Sequence, residues 1–315
     1  LDICGVDVVC LEGLAQALSK SSDNLFELKK IFWPSPVYSL KRTGIVGEIW
    51  RVFKEPFESL EQHFPRHVLS PKVSLLLECV STSGELREVG ESYFECRDES
   101  KAAELCRLGN QFVKDFREKA STVAFLNLNK DHRRCLNSNL ASAKSFINSM
   151  FKRSPLLKFA VLDLYCKDFS QSLDGLKTVS KDADDAFDIA RKRRDKFVRM
   201  LRKRGKEHRL MGYIWRLEHS GLKGFSYTFF LFFETGAPDQ IVGALKKLGD
   251  AWGNAEFDPW SYGIPLGKFE DDDSMTDRLI VEKYMIGLFK SDYHLRLSVA
   301  GGRFPVFKTG LIDPA

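Results

Sequence analysis

The segment Leu210 to Phe233, LMGYIWRLEHSGLKGFSYTFFLFF, constrains the fold more than any other part of the chain. Met211, Tyr213, Trp215 and Leu217 recur at every second position and so share one face of a strand. The stretch HSGLKG then reads as a turn into a second strand. From Tyr227 to Phe233 only Thr228 interrupts an apolar run. That run is far shorter than the roughly 18 to 20 residues a membrane helix needs, and it suits a buried strand. In this strand Ser226, Thr228, Phe230 and Phe232 share one face, while Phe225, Tyr227, Phe229 and Leu231 share the other.

The surrounding pattern extends this hairpin into a domain. LKFAVLDLY, Leu157 to Tyr165, reads as a further strand. Ala186, Ala190, Phe197 and Leu201 mark one face of a helix. Pro238 opens another helix, running to about Trp252. Ser274, with Asp277 three residues on, is the expected cap of a last helix, MTDRLIVEKYMIGLFK. The order β-α-β-β-α-loop-α predicts an α+β fold, an antiparallel sheet with helices on one face. Residues 1–150 read as a mainly helical N-terminal domain, with helices at VVCLEGLAQALSK, AAELCRLGNQFVKDFREK and LASAKSFINSMFK. The texture changes near Ser154-Pro155, which puts the domain boundary near 150. His63 and His67 have helical spacing, but Pro65 between them breaks the helix that would align them on a metal.

The chain has 315 residues, 43% of them apolar and 25 of them Phe, ample for a real core. Seven cysteines form no CxxC pair, which fits reduced thiols in a cytoplasm better than a disulfide framework or a zinc site. LDICGVDVVC at the start has an early acid and no basic leader, so no signal peptide is expected, and no membrane span is expected anywhere.

Net charge is only +5, but it is focused. Arg191 to Lys206, RKRRDKFVRMLRKRGK, holds ten basic residues and one acid, Asp195. These are Arg191, Lys192, Arg193, Arg194, Lys196, Arg199, Arg202, Lys203, Arg204 and Lys206. With the apolar stripe docked on the core, they are expected to fan over the outer face. A solvated helix usually mixes signs, and this one hardly does. A surface of this kind binds phosphate backbones in a salt-dependent, sequence-blind way, so nucleic acid is the expected partner.

Six blocks in order carry a resemblance. They are FAVLDLY around Asp163 and Tyr165, GYIWRLEHSGLKGFSYTFFLFF, LGDAWG, YGIPLG, FKSDYHLRL and GGRFPVFKTG. Together they resemble the inovirus replication-initiator family (gene-II-product-like), also found in prophages and mobile elements. The likeness covers about residues 155 to 310, and no single block is specific. It implies a His-hydrophobic-His endonuclease-type domain, with DNA expected ahead of RNA as the bound nucleic acid, although the sequence does not decide between them. In that family two histidines hold a divalent metal, Mg²⁺ or Mn²⁺, which polarises a scissile phosphate, and a tyrosine attacks it.

This chain departs from the pattern in two places. Ser226 and Thr228 stand at the histidine positions, and a neutral hydroxyl is a poor ligand beside imidazole. Gly287 stands where the tyrosine is expected, three residues before Lys290. Tyr284, one helical turn away, is the substitute nucleophile, with Lys290 to steady a phosphate and Glu218 as a further catalytic candidate. Asp163, Glu218 and His219 are the candidate remnants of a metal site, although a turn histidine in solvent explains His219 as well. Three functions remain open. One is a nucleic-acid-binding protein with a degenerate nicking site and no cofactor. Another is an active nickase using Tyr284 and Mg²⁺ or Mn²⁺. The third is an interaction component of a mobile-element or phage-defence complex, with a protein partner bound through residues 1–150.

Overall fold

A computed structural model of the chain describes residues 2–3, 6–21, 24–32, 36–40, 44–54, 66–86, 95–96, 98–154, 157–166, 182–220, 224–234, 238–253, 263–264, 274–298 and 305–312. In chain order the elements are β1 (Asp2–Ile3), β2 (Val6–Asp7), α1 (Val8–Leu18), β3 (Leu28–Phe32), β4 (Pro36–Leu40), α2 (Gly44–Lys54), β5 (His67–Leu69), α3 (Pro71–Thr82), β6 (Glu95–Cys96), α4 (Glu99–Ser121) and α5 (Val123–Arg153). There follow β7 (Lys158–Tyr165), α6 (Asp182–Arg204), β8 (Leu210–Ser220), β9 (Gly224–Phe233), α7 (Pro238–Gly253), β10 (Gly263–Ile264), α8 (Ser274–His294), β11 (Leu295–Leu297) and β12 (Phe307–Leu311). The fold is mixed α and β with antiparallel sheets. Among the described residues no helix is long and apolar enough to cross a membrane. Cys10, Cys79, Cys106, Cys135 and Cys166 form no disulfide.

Two compact units divide the chain: residues 1–63, 68–135 and 293–296 form one, and residues 64–67, 136–292 and 297–315 the other. The change of texture near 150 falls inside α5, whose residues up to Cys135 belong to the first unit. His63 lies outside the described residues.

The first unit packs α1 to α4 around Leu11, Ile49, Leu76, Phe112 and Phe116. It holds the expected helices at VVCLEGLAQALSK and AAELCRLGNQFVKDFREK, whereas LASAKSFINSMFK falls in the second unit, and it adds a three-stranded antiparallel sheet in the order β3-β4-β6. Short strands interrupted by prolines carry too little alternation to stand out in sequence. Asp98 caps α4 by accepting from the amides of Ser100 and Lys101. A buried polar knot ties this unit together. Glu12 accepts from the hydroxyls of Ser70 and Tyr293, the latter at 3.0 Å, and Lys72 lies 3.8 Å from the same carboxylate.

The second unit is built on a five-stranded sheet in the order β10-β7-β9-β8-β12. The expected strands and the hairpin all form, with β9 in the centre. The expectation of helices on one face is corrected. One face carries Leu162, Leu164, Tyr213, Trp215, Phe225, Tyr227 and Phe229, packed under α6 and α7 through Ala190, Phe197, Leu201, Leu245 and Trp252. The other carries Phe159, Val161, Ile214, Phe230 and Phe232, packed under the end of α5 and α8 through Ile147, Met150, Val281, Met285 and Phe289. The physical reason was already visible in FFLFF. A strand apolar at consecutive positions has no solvent face to offer, so both sides must be covered. Burying rings such as Phe230 and Phe232, both fully enclosed, contributes about 2–3 kcal/mol each.

Candidate functional site

The antiparallel register lines up two rows of polar side chains at one end of the central strands. In the first row Asp163 of β7 pairs with Thr228 of β9, which pairs with Arg216 of β8. In the second, Tyr165 pairs with Ser226, which pairs with Glu218. The hydroxyls that stand at the expected metal positions thus lie between a carboxylate or phenol on one neighbour and a charged group on the other.

Thr228 is buried, and its Oγ1 donates to Asp163 Oδ1 at 2.7 Å. Glu218 Oε1 lies 3.5 Å from the same hydroxyl, at the limit of a hydrogen bond. Arg216, 8% exposed, is the centre of charge. Its Nε donates to both carboxylate oxygens of Asp292 at 3.2 Å. Its Nη2 donates to Asp292 again, and its Nη1 donates to Glu218. A guanidinium fork held between two carboxylates is the geometry in which a buried arginine is best compensated. Burial pushes the Glu218 carboxyl above its ordinary range, Arg216 opposes that, and Asp163 and Asp292 add to it.

Tyr284 reaches this end of the sheet from α8, with its ring 5.7 Å from that of Phe230. It is 37% exposed. Burial raises its pKa, and the Asp163 and Glu218 carboxylates raise it further against Arg216. Its surroundings therefore do nothing to favour the phenolate. A side chain at Gly287 would meet nothing within 4 Å, so that position opens outward. The side chain of Lys290 lies outside the described residues.

Of the proposed remnants of a metal site, Asp163 and Glu218 share one face, but His219 does not join them. His219 follows Glu218 on β8 and so points to the opposite face of the sheet. There its ring meets that of Phe225 edge to face, with centroids 4.7 Å apart, and the His67 ring lies 6.2 Å away. It is half-buried rather than a histidine in solvent, and burial lowers its pKa to about 4. The His67 pKa is lowered to about 4 as well, by burial and then by His219 and Arg216. On the other face, the Glu218 and Asp292 carboxylates are engaged by a guanidinium and Asp163 by a hydroxyl. Among the described residues no group of three or more His, Cys, Asp and Glu is placed to hold a metal ion. With hydroxyls rather than imidazoles on this face and a fixed positive charge between the acids, the residues present do not fit Mg²⁺ or Mn²⁺.

The basic segment lies on the opposite side of the sheet, along α6. Ala186, Ala190, Phe197 and Leu201 face the core as expected. Arg194 is a correction, because it belongs to that inward face. It is 9% exposed, and its guanidinium lies 4.6 Å from the Trp215 ring centroid and 5.9 Å from that of Tyr227, bonded to Asp195 at 2.7 Å. Arg191 is half-buried and paired with Asp188 at 3.2 Å, and Arg193 is half-buried too. Lys192, Lys196, Arg199, Arg202, Lys203, Arg204 and Lys206 are exposed, the last on the 3₁₀ turn Gly205–His208. Among the described residues none of these seven is in an ion pair; Arg199 donates only to the Asp195 carbonyl, at 3.3 Å.

Sequence reasoning missed four groups. Arg209 is exposed just beyond the turn, with a positive φ of 54°. Lys246 and Lys247 are exposed on α7, which packs beside α6. Their signal was the apolar spacing of Ile241, Ala244, Leu245 and Leu248, which leaves 246 and 247 outside. Arg216 was the fourth; a charge in the Ile214-Arg216-Glu218 row of a strand buried on both faces demands a carboxylate partner. No significant match to a family model, a curated protein or a solved structure is found for this chain.

Proposed function

We propose that this chain is a nucleic-acid-binding protein, built on a replication-initiator-like domain that grips a phosphate backbone without cutting it. The observation that carries the reading is the outer face of α6 and the turn that follows it, where seven exposed basic side chains make no ion pair among the described residues. Uncompensated charge of one sign on a helix attracts polyphosphate. The state of the sheet's other face supports the loss of cutting. Its hydroxyls are neutral, its acids are engaged, and burial and the neighbouring carboxylates raise the pKa of its tyrosine. The resemblance to inovirus replication initiators favours DNA over RNA and a cytoplasmic setting in a prophage or other mobile element.

Two measurements test this reading together. Fluorescence anisotropy with a labelled mixed-sequence DNA should show binding that weakens steeply with salt. Supercoiled plasmid incubated with the protein and Mn²⁺ should stay supercoiled. Relaxed product from the wild type and none from Tyr284→Phe would restore the active-nickase reading. A second reading, docking of a protein partner through the N-terminal half, is favoured by the exposed Val123, Leu126 and Leu128 at the start of α5. Native mass measured with and without nucleic acid tests whether such a partner is needed for assembly.

A further inference from the structure

The Arg216 cluster has a feature that neither hydrogen bonding nor packing alone requires. Four groups from three strands and one helix converge on one point of the sheet: Asp163, Thr228, Glu218 and Asp292. Three of them are carboxylates. Brought together without a cation, they would repel one another strongly at short range. Among the described residues the positive charge between them is that of Arg216, whose three guanidinium nitrogens all donate to two of the acids. Thr228 completes the arrangement by donating its only proton to the third.

We propose that Arg216 is the built-in cation of this sheet face. Its guanidinium holds Asp292 and Glu218 together as a bound divalent ion would, with Thr228 securing Asp163, so the unit neither needs nor takes a metal. The arginine therefore does more than mark an incomplete metal site. It fills the position electrostatically and keeps α8 fixed to the sheet through Asp292. This inference does not depend on nucleic-acid binding, which resides on the opposite face.

The test compares the full-length wild type with Arg216→Met, which keeps the stem and removes the charge, and Arg216→Lys, which keeps the charge and loses the fork. Thermal melts are recorded in EDTA and in millimolar Mn²⁺, and Mn²⁺ binding is followed by loss of the free-ion electron paramagnetic resonance signal. The wild type should melt at the same temperature in both conditions and leave the Mn²⁺ signal unchanged. Arg216→Met should melt lower in EDTA, recover at least half of that loss in Mn²⁺, and take up the ion. Arg216→Lys should show a smaller loss and no response to Mn²⁺. Stoichiometric Mn²⁺ uptake by the wild type would overturn the proposal, as would an Arg216→Met protein whose lower melting point does not respond to the ion. If Arg216→Met fails to fold, Arg216→Lys decides. A partial loss without Mn²⁺ uptake supports the proposal, and uptake refutes it. DNA binding by the wild type measured in EDTA stays a separate readout, so failure of either idea is visible on its own.

Discussion

Replacing Lys192, Lys196, Arg199 and Lys203 together by Ser removes one continuous stripe from α6. The positions are spaced 4, 3 and 4 residues apart, all four are exposed, and they lie opposite Phe197 and Leu201. At about 1.5 Å per residue the stripe runs roughly 17 Å along the helix. If all seven exposed bases of the segment meet phosphates, the logarithm of affinity falls against that of salt with a slope near −6.3, taking about −0.9 per phosphate. Between 50 and 200 mM salt that is a loss of about 6,000-fold. With four bases gone the slope falls to about −2.7 and the loss to about 40-fold. Anisotropy titrations of one labelled duplex at four salt concentrations measure both slopes. A second duplex of unrelated sequence should give the same slopes, because phosphate contacts carry no sequence information. Parallel slopes for wild type and variant would refute the assignment of this face, whatever the absolute affinities. The substitutions touch no buried group, so the melting temperature should change little.

Arg194→Ser should behave in the opposite way, leaving the salt slope unchanged while lowering stability by about 2 kcal/mol or more in a chemical denaturation curve, because the Trp215 and Tyr227 rings lose their stacked cation. The neutral, half-buried His67 and His219 make the protein acid-sensitive. Their folded pKa of about 4 lies below the ordinary 6.5, so the stability they contribute is complete above pH 6.5 and is lost as pH falls from there toward 4. The loss is up to about 3 kcal/mol for each, and His219→Gln should remove about half of that slope in urea titrations at pH 7, 6 and 5. At Gly310 of β12 an added Cβ would lie 2.3 Å from the Tyr213 ring, so Gly310→Ala should destabilise measurably, and pairing it with Tyr213→Ala should recover little, since that second change empties a buried site.

Much of the sheet could be read from the chain because its signals are local. The alternation in LMGYIWRLE, the Gly-marked turn and the apolar run that follows place β8 and β9 without any tertiary information. The order of elements suggested helices on one face only, whereas Phe229 to Phe233 leave no polar side and both faces are covered. The basic helix was legible as charge, yet Arg194 shows what charge alone hides. On a helix it falls on the same side as Ala190 and Leu201, so its position, not its type, decided its fate. The Arg216 cluster was the least legible part. Asp163, Arg216, Glu218 and Asp292 are scattered over 130 positions of sequence, and only strand register and the seating of α8 bring them together.

The order of the strands also decides where this protein is exposed to self-association. Its most ring-laden strand sits as far as it can from either rim, flanked by β7 and β8. The rim at β8 is closed by β12 alone, five residues paired from Gly212 to Arg216 and drawn from near the end of the sequence. Until those residues arrive, a nascent or clipped chain offers the edge of β8 to any strand of matching length, including its own copy. This short ribbon thus acts as a seal on the sheet, and a proteolytic cut ahead of Phe307 is expected to expose the edge of β8 to strand-by-strand aggregation.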